Sequence, residues 1–167
     1  MVDPVRPPTS KEAKTRDNLF RNEEVIMNRD IFGNLLDWGN VLQDLEELER
    51  SGKLNDHQEG LVRILRYRQN WQLREAALKA VRNLTSPSES IISEVLAILM
   101  DQNVYNEARI LATDALCNLI CSRRKQRPGN SYSPAERSVI EKMTDILRSP
   151  EVPIIHEALG RSLASIQ

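Results

Sequence analysis

Aromatic residues are scarce in this chain, with Trp, Tyr and Phe together making up 4 % of its 167 residues. Sheets draw on those side chains, whereas Leu, Ala, Glu and Arg, which are plentiful, favour helix. Cysteine is scarcer still. The two present, Cys117 and Cys121, lie four apart in a helical pattern and far along the chain from His57 and His156. That excludes a disulfide framework, and it leaves a zinc ion without the roughly four ligands it needs. No run of about 18 uncharged apolar residues occurs, and Met1 to Ser10, MVDPVRPPTS, lacks the basic-then-apolar order of a signal peptide. A cytoplasmic protein with no membrane segment is the expectation. The Asn83-Leu84-Thr85 glycosylation pattern then carries no weight. A formal net charge of -1 excludes the strongly basic footprint of a dedicated nucleic-acid binder at the level of the whole chain. There is no GxGxxG, no GxxxxGK[ST] and no HExxH, and neither histidine stands near a candidate nucleophile. The expectation is a protein without catalytic residues, cofactor or metal.

What is present is helical periodicity. Residues 1–18 carry Pro4, Pro7 and Pro8 and no apolar spacing, so a flexible tail is predicted there; its PxxP spacing is common in such segments. From Leu19 the apolar residues Val25, Ile26, Phe32, Leu35, Leu36, Val41, Leu42, Leu45 and Leu48 fall at helical spacing up to the stop at Ser51-Gly52. They predict two capping helices over 19–54, or one bent near Asp37-Trp38-Gly39. A further helix, capped by Asn55 or Asp56, buries Leu61, Val62, Ile64 and Leu65 and ends near Gln69-Asn70.

The segment Leu73 to Leu84 recurs 35 residues later as Ala108 to Leu119, with Arg74/Arg109, Ala77/Ala112, Ala80/Ala115, Asn83/Asn118 and Leu84/Leu119 identical. Leu65 and Leu99 hold nearly equivalent places one helix earlier. A fainter third copy runs from Ile155 to Ile166, with His156 at the arginine position. An amphipathic helix precedes each copy, so the unit is helix, turn, helix over 55–86, 88–122 and 133–167. Self-similarity at this period marks a solenoid, in which each hairpin covers its apolar face with its neighbour and alanines sit where helices approach most closely.

At these residues the chain resembles the HEAT and armadillo-like repeat families, whose second helix reads as an apolar residue, arginine, two spacers, then alanine, a small residue and apolar positions. Leu73-Arg74, Ala77, Ala80, Val81 and Leu84 fit, as do Ala108-Arg109, Ala112, Ala115, Leu116 and Leu119. The third copy departs with Pro153 and His156 and a longer connecting loop. The resemblance covers residues 55–167. It implies an all-α, α-α superhelix of about eight helices with an N-terminal helical cap, forming with the cap a single domain over 19–167. For function it implies little, since these families include scaffolds, adaptors, chromatin proteins, a few lyases and a DNA glycosylase. The recurrent Arg74 and Arg109 read first as structural, each pairing with a carboxylate or turn carbonyl in a neighbouring repeat.

Two surfaces are candidates for binding. Opposite the packed side of the second helices lie Glu75, Lys79 and Arg82, then Ile110, Asp114 and Cys117, then Glu157, Arg161 and Ala164. In a HEAT-like stack this side is concave. Ile110 and Cys117 are expected as the apolar centre of a groove for a protein or peptide, rimmed by Lys79, Arg82, Asp114 and Arg161. The alternative is that the N-terminal helices or a sister subunit cover the strip. The second surface is basic. Residues 61–90 hold six basic and two acidic side chains, and residues 121–150 hold seven and three. Arg63, Arg66, Arg68 and Trp71 interleave cations with an aromatic ring, and Arg123, Arg124, Lys125 and Arg127 crowd one loop, the ingredients of a nucleic-acid site. A HEAT-containing lyase is the third reading.

Overall fold

The computed structural model describes residues 30–127, 129 and 131–166. The chain divides into two units, Met1–Asp30 and Ile31–Gln167, and every described helix belongs to the second. The tail expected over 1–18 and the apolar spacing from Leu19 to Ile26 lie outside the described residues. Within them the protein is all-helical, with seven α-helices, one 3-10 turn and no strand.

The apolar residues Phe32 and Leu35 are buried, but from a run of turns and not from a helix. Gly33 has φ +52, and the Asn34 side chain accepts from the Leu36 N–H at 3.1 Å, a local bond that competes with helix. Helix α1 (Trp38–Ser51) follows, burying Val41, Leu45 and Leu48 at spacings of four and three. It ends at Gly52, φ +70. The Gly52 N–H bonds Glu49 O and the Lys53 N–H bonds Leu48 O, which makes the end a Schellman cap that a left-handed glycine permits.

A 3-10 turn (Leu54–His57) leads into α2 (Gln58–Arg66). Asn55 and Asp56, the expected caps, do not cap α2. Asn55 instead donates to Thr85 Oγ1 at 3.0 Å and accepts from the Ser86 N–H at 2.9 Å, and Gln58 accepts from the Ser88 N–H at 2.7 Å. Both side chains pin the turn that joins the next two helices. Helix α2 stops at Arg66, and Asn70 opens α3 (Trp71–Val81) by accepting from the Leu73 N–H. Ser88 does the same for α4 (Glu89–Met100). Helix α5 (Asn106–Lys125) is the longest, and α6 (Pro134–Arg148) begins with a capping box of Ser133 and Glu136 and proline in its first turn. Helix α7 (Pro153–Ile166) ends the described chain.

Helices α1, α3, α5 and α7 form one row in which each packs on the next. In front, α2 packs on α3 and α4, α4 packs on α5, and α6 packs on α7. One continuous apolar core runs from Phe32 to Ile166 through both rows. Ala77, Ala80, Ala112 and Ala115, expected at close contacts, are all buried. The repeated segment thus supplies the back row, where α5 touches α3, α4 and α7.

Candidate interaction surface

Arg74 and Arg109 occupy the first turns of α3 and α5, and each turns its Nε–H back onto a carbonyl near the end of the preceding helix. Arg74 donates to Leu65 O at 3.0 Å, and Arg109 to Leu99 O at 2.9 Å. These carbonyls lie in the last turn of α2 and α4, where helix acceptors lack intrahelical partners. His156, at the same place in the third copy, has Nε2 2.9 Å from Ser149 O at the end of α6. One side chain therefore ties the two helices of each hairpin, and histidine does in the third what arginine does in the others. The guanidinium tips differ. Arg109, 3 % exposed, makes a forked pair with Glu151, at 2.9 and 2.7 Å. Arg109 donating into it holds the Glu151 carboxyl below its usual range.

The first basic patch is largely spent inside the fold. Arg66 donates from Nε to Glu94 at 2.8 Å, Arg68 pairs with Asp101 at 3.1 Å, and Arg63 donates to Gly33 O at 2.7 Å. The neutralising acids come from α4 and its C-cap, downstream of the patch. Asp101 sits below the ordinary carboxylate range, chiefly because the Asn103 N–H bonds it. Trp71 is 55 % exposed and meets Tyr105 edge to face, with ring centroids 6.0 Å apart.

The basic loop is spent in the same way. Arg127 pairs with Glu136 at 2.5 Å, and Arg123 lies 3.4 Å from the other oxygen of that carboxylate, which is itself buried. Arg124 donates to the Tyr132 hydroxyl at 2.6 Å and to Ile166 O at 2.9 Å, and it stacks over the Tyr132 ring. These three arginines staple the end of α5 to the start of α6 and the end of α7. Lys125 is exposed.

In the strip along α3, α5 and α7, Lys79, Arg82 and Arg161 are exposed, while Ile110, Asp114 and Cys117 are half-buried. Ile110 and Cys117 were expected to lack any core position, but both pack against the edge of the core. Cys117 Sγ lies 3.6 Å from Ser162 O and 3.1 Å from Ser165 Oγ, so α7, the next helix of the row, covers it. Burial pushes the Cys117 thiol up, so it stays protonated near neutrality. The strip is thus recessed at its middle and charged at its ends, with Lys79 paired to Glu75 at 2.7 Å and Arg161 to Glu157 at 2.5 Å.

Among the described residues both cysteines are free, no three His, Cys, Asp or Glu side chains converge to hold a metal, and no helix is long and apolar enough to cross a membrane. Sequence reasoning missed Glu136, Glu151 and Tyr105. The Ser133-Pro134-Ala135-Glu136 string carried the signal for Glu136, since it matches a capping box with proline at the first helical position. No family model, curated protein or solved structure matches the chain.

Proposed function

We propose that this chain is a non-catalytic interaction scaffold, a short HEAT-like α-α superhelix that binds a protein or peptide along the strip formed by its second helices. The observation that carries the reading is the row in which α3 packs on α5 and α5 on α7, with the tie repeated at Arg74, Arg109 and His156 holding the two helices of each hairpin together, so that α3, α5 and α7 stand side by side along one strip. Half-buried Ile110, Asp114 and Cys117 between exposed Lys79, Arg82 and Arg161 give that surface a recessed centre and a charged rim, the layout of a protein-binding patch. A cytoplasmic location belongs to the same reading.

The nucleic-acid alternative fares worse, because Arg66, Arg68, Arg123 and Arg127 already face carboxylates of this chain. Phosphate contacts would have to replace those pairs, which weakens the gain.

The test reverses the exposed rim with Lys79→Glu, Arg82→Glu and Arg161→Glu together, beside a control reversal of Glu46→Lys and Asp56→Lys, also at exposed positions. Tagged proteins recover partners from an extract of the source cells, and melting curves are recorded in parallel. The reading expects a partner recovered by the parent and the control but lost from the rim variant, with melting unchanged. Equal recovery by all three would refute it.

A further inference from the structure

The repeats supply an internal comparison. Arg109 spends Nε on its hairpin carbonyl and both terminal nitrogens on Glu151. Arg74 makes the equivalent carbonyl bond, but among the described residues neither of its terminal nitrogens has a hydrogen-bond partner. The acid within electrostatic reach, Asp101, is committed elsewhere. Its Oδ1 accepts from the Asn103 N–H at 3.0 Å and from Asn103 Nδ2 at 3.1 Å, and its Oδ2 pairs with Arg68. Glu94, the other acid nearby, is held by Arg66.

Arg74 is half-buried beside a pocket of about 110 Å³ that Arg66, Arg68, Glu94 and Asp101 also line. That is room for a carboxyl group and the carbon that bears it. Burial, and then the charge of Arg68, press on the Arg74 guanidinium, the state of a cation short of an anion. One turn before Arg74 on α3, Trp71 meets Tyr105 edge to face as an exposed aromatic pair, and the Tyr105 phenol is within electrostatic reach of Arg74.

We infer that Arg74, with Arg68 beside it and the Trp71–Tyr105 pair nearby, is a recognition site for the carboxylate of an acidic peptide, taking from a partner the forked pair that Arg109 takes from Glu151. The chemistry is carboxylate rather than phosphate because the sister position in this same fold is filled by a carboxylate, and because Glu94 and Asp101 beside the pocket disfavour a doubly charged group. The site involves none of Lys79, Arg82 or Arg161, so it stands or falls apart from the strip.

The probe is acetyl-Gly-Glu-Gly-amide, titrated into the full chain while the Arg74 Nε–Hε, Arg68 Nε–Hε and Trp71 indole N–H signals are followed by NMR. Acetyl-Gly-Gln-Gly with a free carboxyl end separates a chain terminus from an acidic side chain as the source, and its amide is the blank. A saturable shift of these signals is expected with one or both carboxylate peptides, with binding at least about tenfold weaker for the blank and, read at the Arg68 and Trp71 signals, in Arg74→Gln, as loss of a charge-assisted fork requires. Arg74→Lys, which keeps the charge and loses the fork, should also weaken binding and covers the case in which Arg74→Gln folds poorly. Arg123→Gln should leave it unchanged. No saturable shift with either carboxylate peptide, an equal response in both Arg74 variants, or a stronger response to inorganic phosphate or to an eight-residue oligothymidylate would each overturn the inference.

Discussion

The junctions around Arg109 and Arg74 begin from the same sequence, an arginine in the first turn of a repeated helix, and end differently. At Arg109 the guanidinium and the Glu151 carboxylate are both almost fully shielded, 4 % and 8 % exposed, and their bonds join α5 to the loop before α7. At Arg74 the side chain is half-buried, its carbonyl bond is kept, and it lines a small open pocket. The repeat dictates the backbone tie, because that tie needs only an arginine three residues after a helix start and an unsatisfied carbonyl at the preceding helix end. The loop that follows dictates what meets the guanidinium tip. A structural ion pair and an open cation are therefore two outcomes of one local design.

The sharpest way to break the comparison is to remove the arginine at each junction. Arg109→Leu strands Glu151 in a shielded place, and loss of one partner from such a pair should cost about 3 kcal/mol, seen as a fall in melting temperature of roughly 10 °C. The pair also carries a pH signature. Because Arg109 lowers the folded-state value of Glu151, the unfolded chain takes up that proton first as pH falls. The stability it contributes is complete above the ordinary glutamate value and is lost as pH falls through the lowered one. Urea midpoints between pH 7 and pH 3 should decline less steeply in Glu151→Gln than in the parent, and matching slopes would show that the pair adds nothing.

A smaller effect tests whether the two copies are packed alike despite their different tips. Ala77 and Ala112 are both 0 % exposed, on helices that touch in the same row. Enlarging either to leucine should overpack the row and cost about 1 to 3 kcal/mol. Denaturant unfolding of Ala77→Leu and Ala112→Leu should give losses that agree to within about 1 kcal/mol. A neutral result at either would mean that the copies are not equivalent in packing.

The back row was legible because period, alanines and apolar positions all pointed to one face, and Leu73, Ala77, Ala80, Val81 and Leu84 are buried as that face requires. The helix ends were less so. Leu84 lies in the turn after α3, and Asn55, a good cap by type, spends its side chain on Thr85 and Ser86 some thirty residues away, because tertiary bonds compete with local ones. The charge bands misled for a related reason. Summed along the sequence they show Arg63 to Arg74 as a basic patch, yet Glu94 and Asp101, from α4 and its C-cap, pair with Arg66 and Arg68 across space. The Arg109 to Glu151 pair spans 42 residues, and no spacing rule reaches that far. Asn83 and Asn118 show the limit of the repeat itself: identical in sequence, one bonds Glu49 of α1 and the other the Asp114 carbonyl one turn back in its own helix.

The least change is expected at Arg74. Its substitution removes a single carbonyl hydrogen bond from a half-buried site and leaves no carboxylate stranded, since Asp101 keeps Asn103 and Arg68. Arg74→Gln should therefore cost about 1 kcal/mol, a third of the loss at Arg109. Two opposing effects make up that figure. The Leu65 carbonyl loses its donor, which destabilises, but the crowding of Arg74 by Arg68 is relieved, which stabilises. Ionic strength separates them, because screening weakens the repulsion between exposed Arg68 and half-buried Arg74 more than it weakens a hydrogen bond. Raising salt should stabilise the parent slightly relative to Arg74→Gln, and the difference between them should grow toward the pure hydrogen-bond value. If the Arg74 variant instead loses as much stability as Arg109→Leu, then an anion does meet the Arg74 tip within the folded chain, and the contrast between the two junctions disappears.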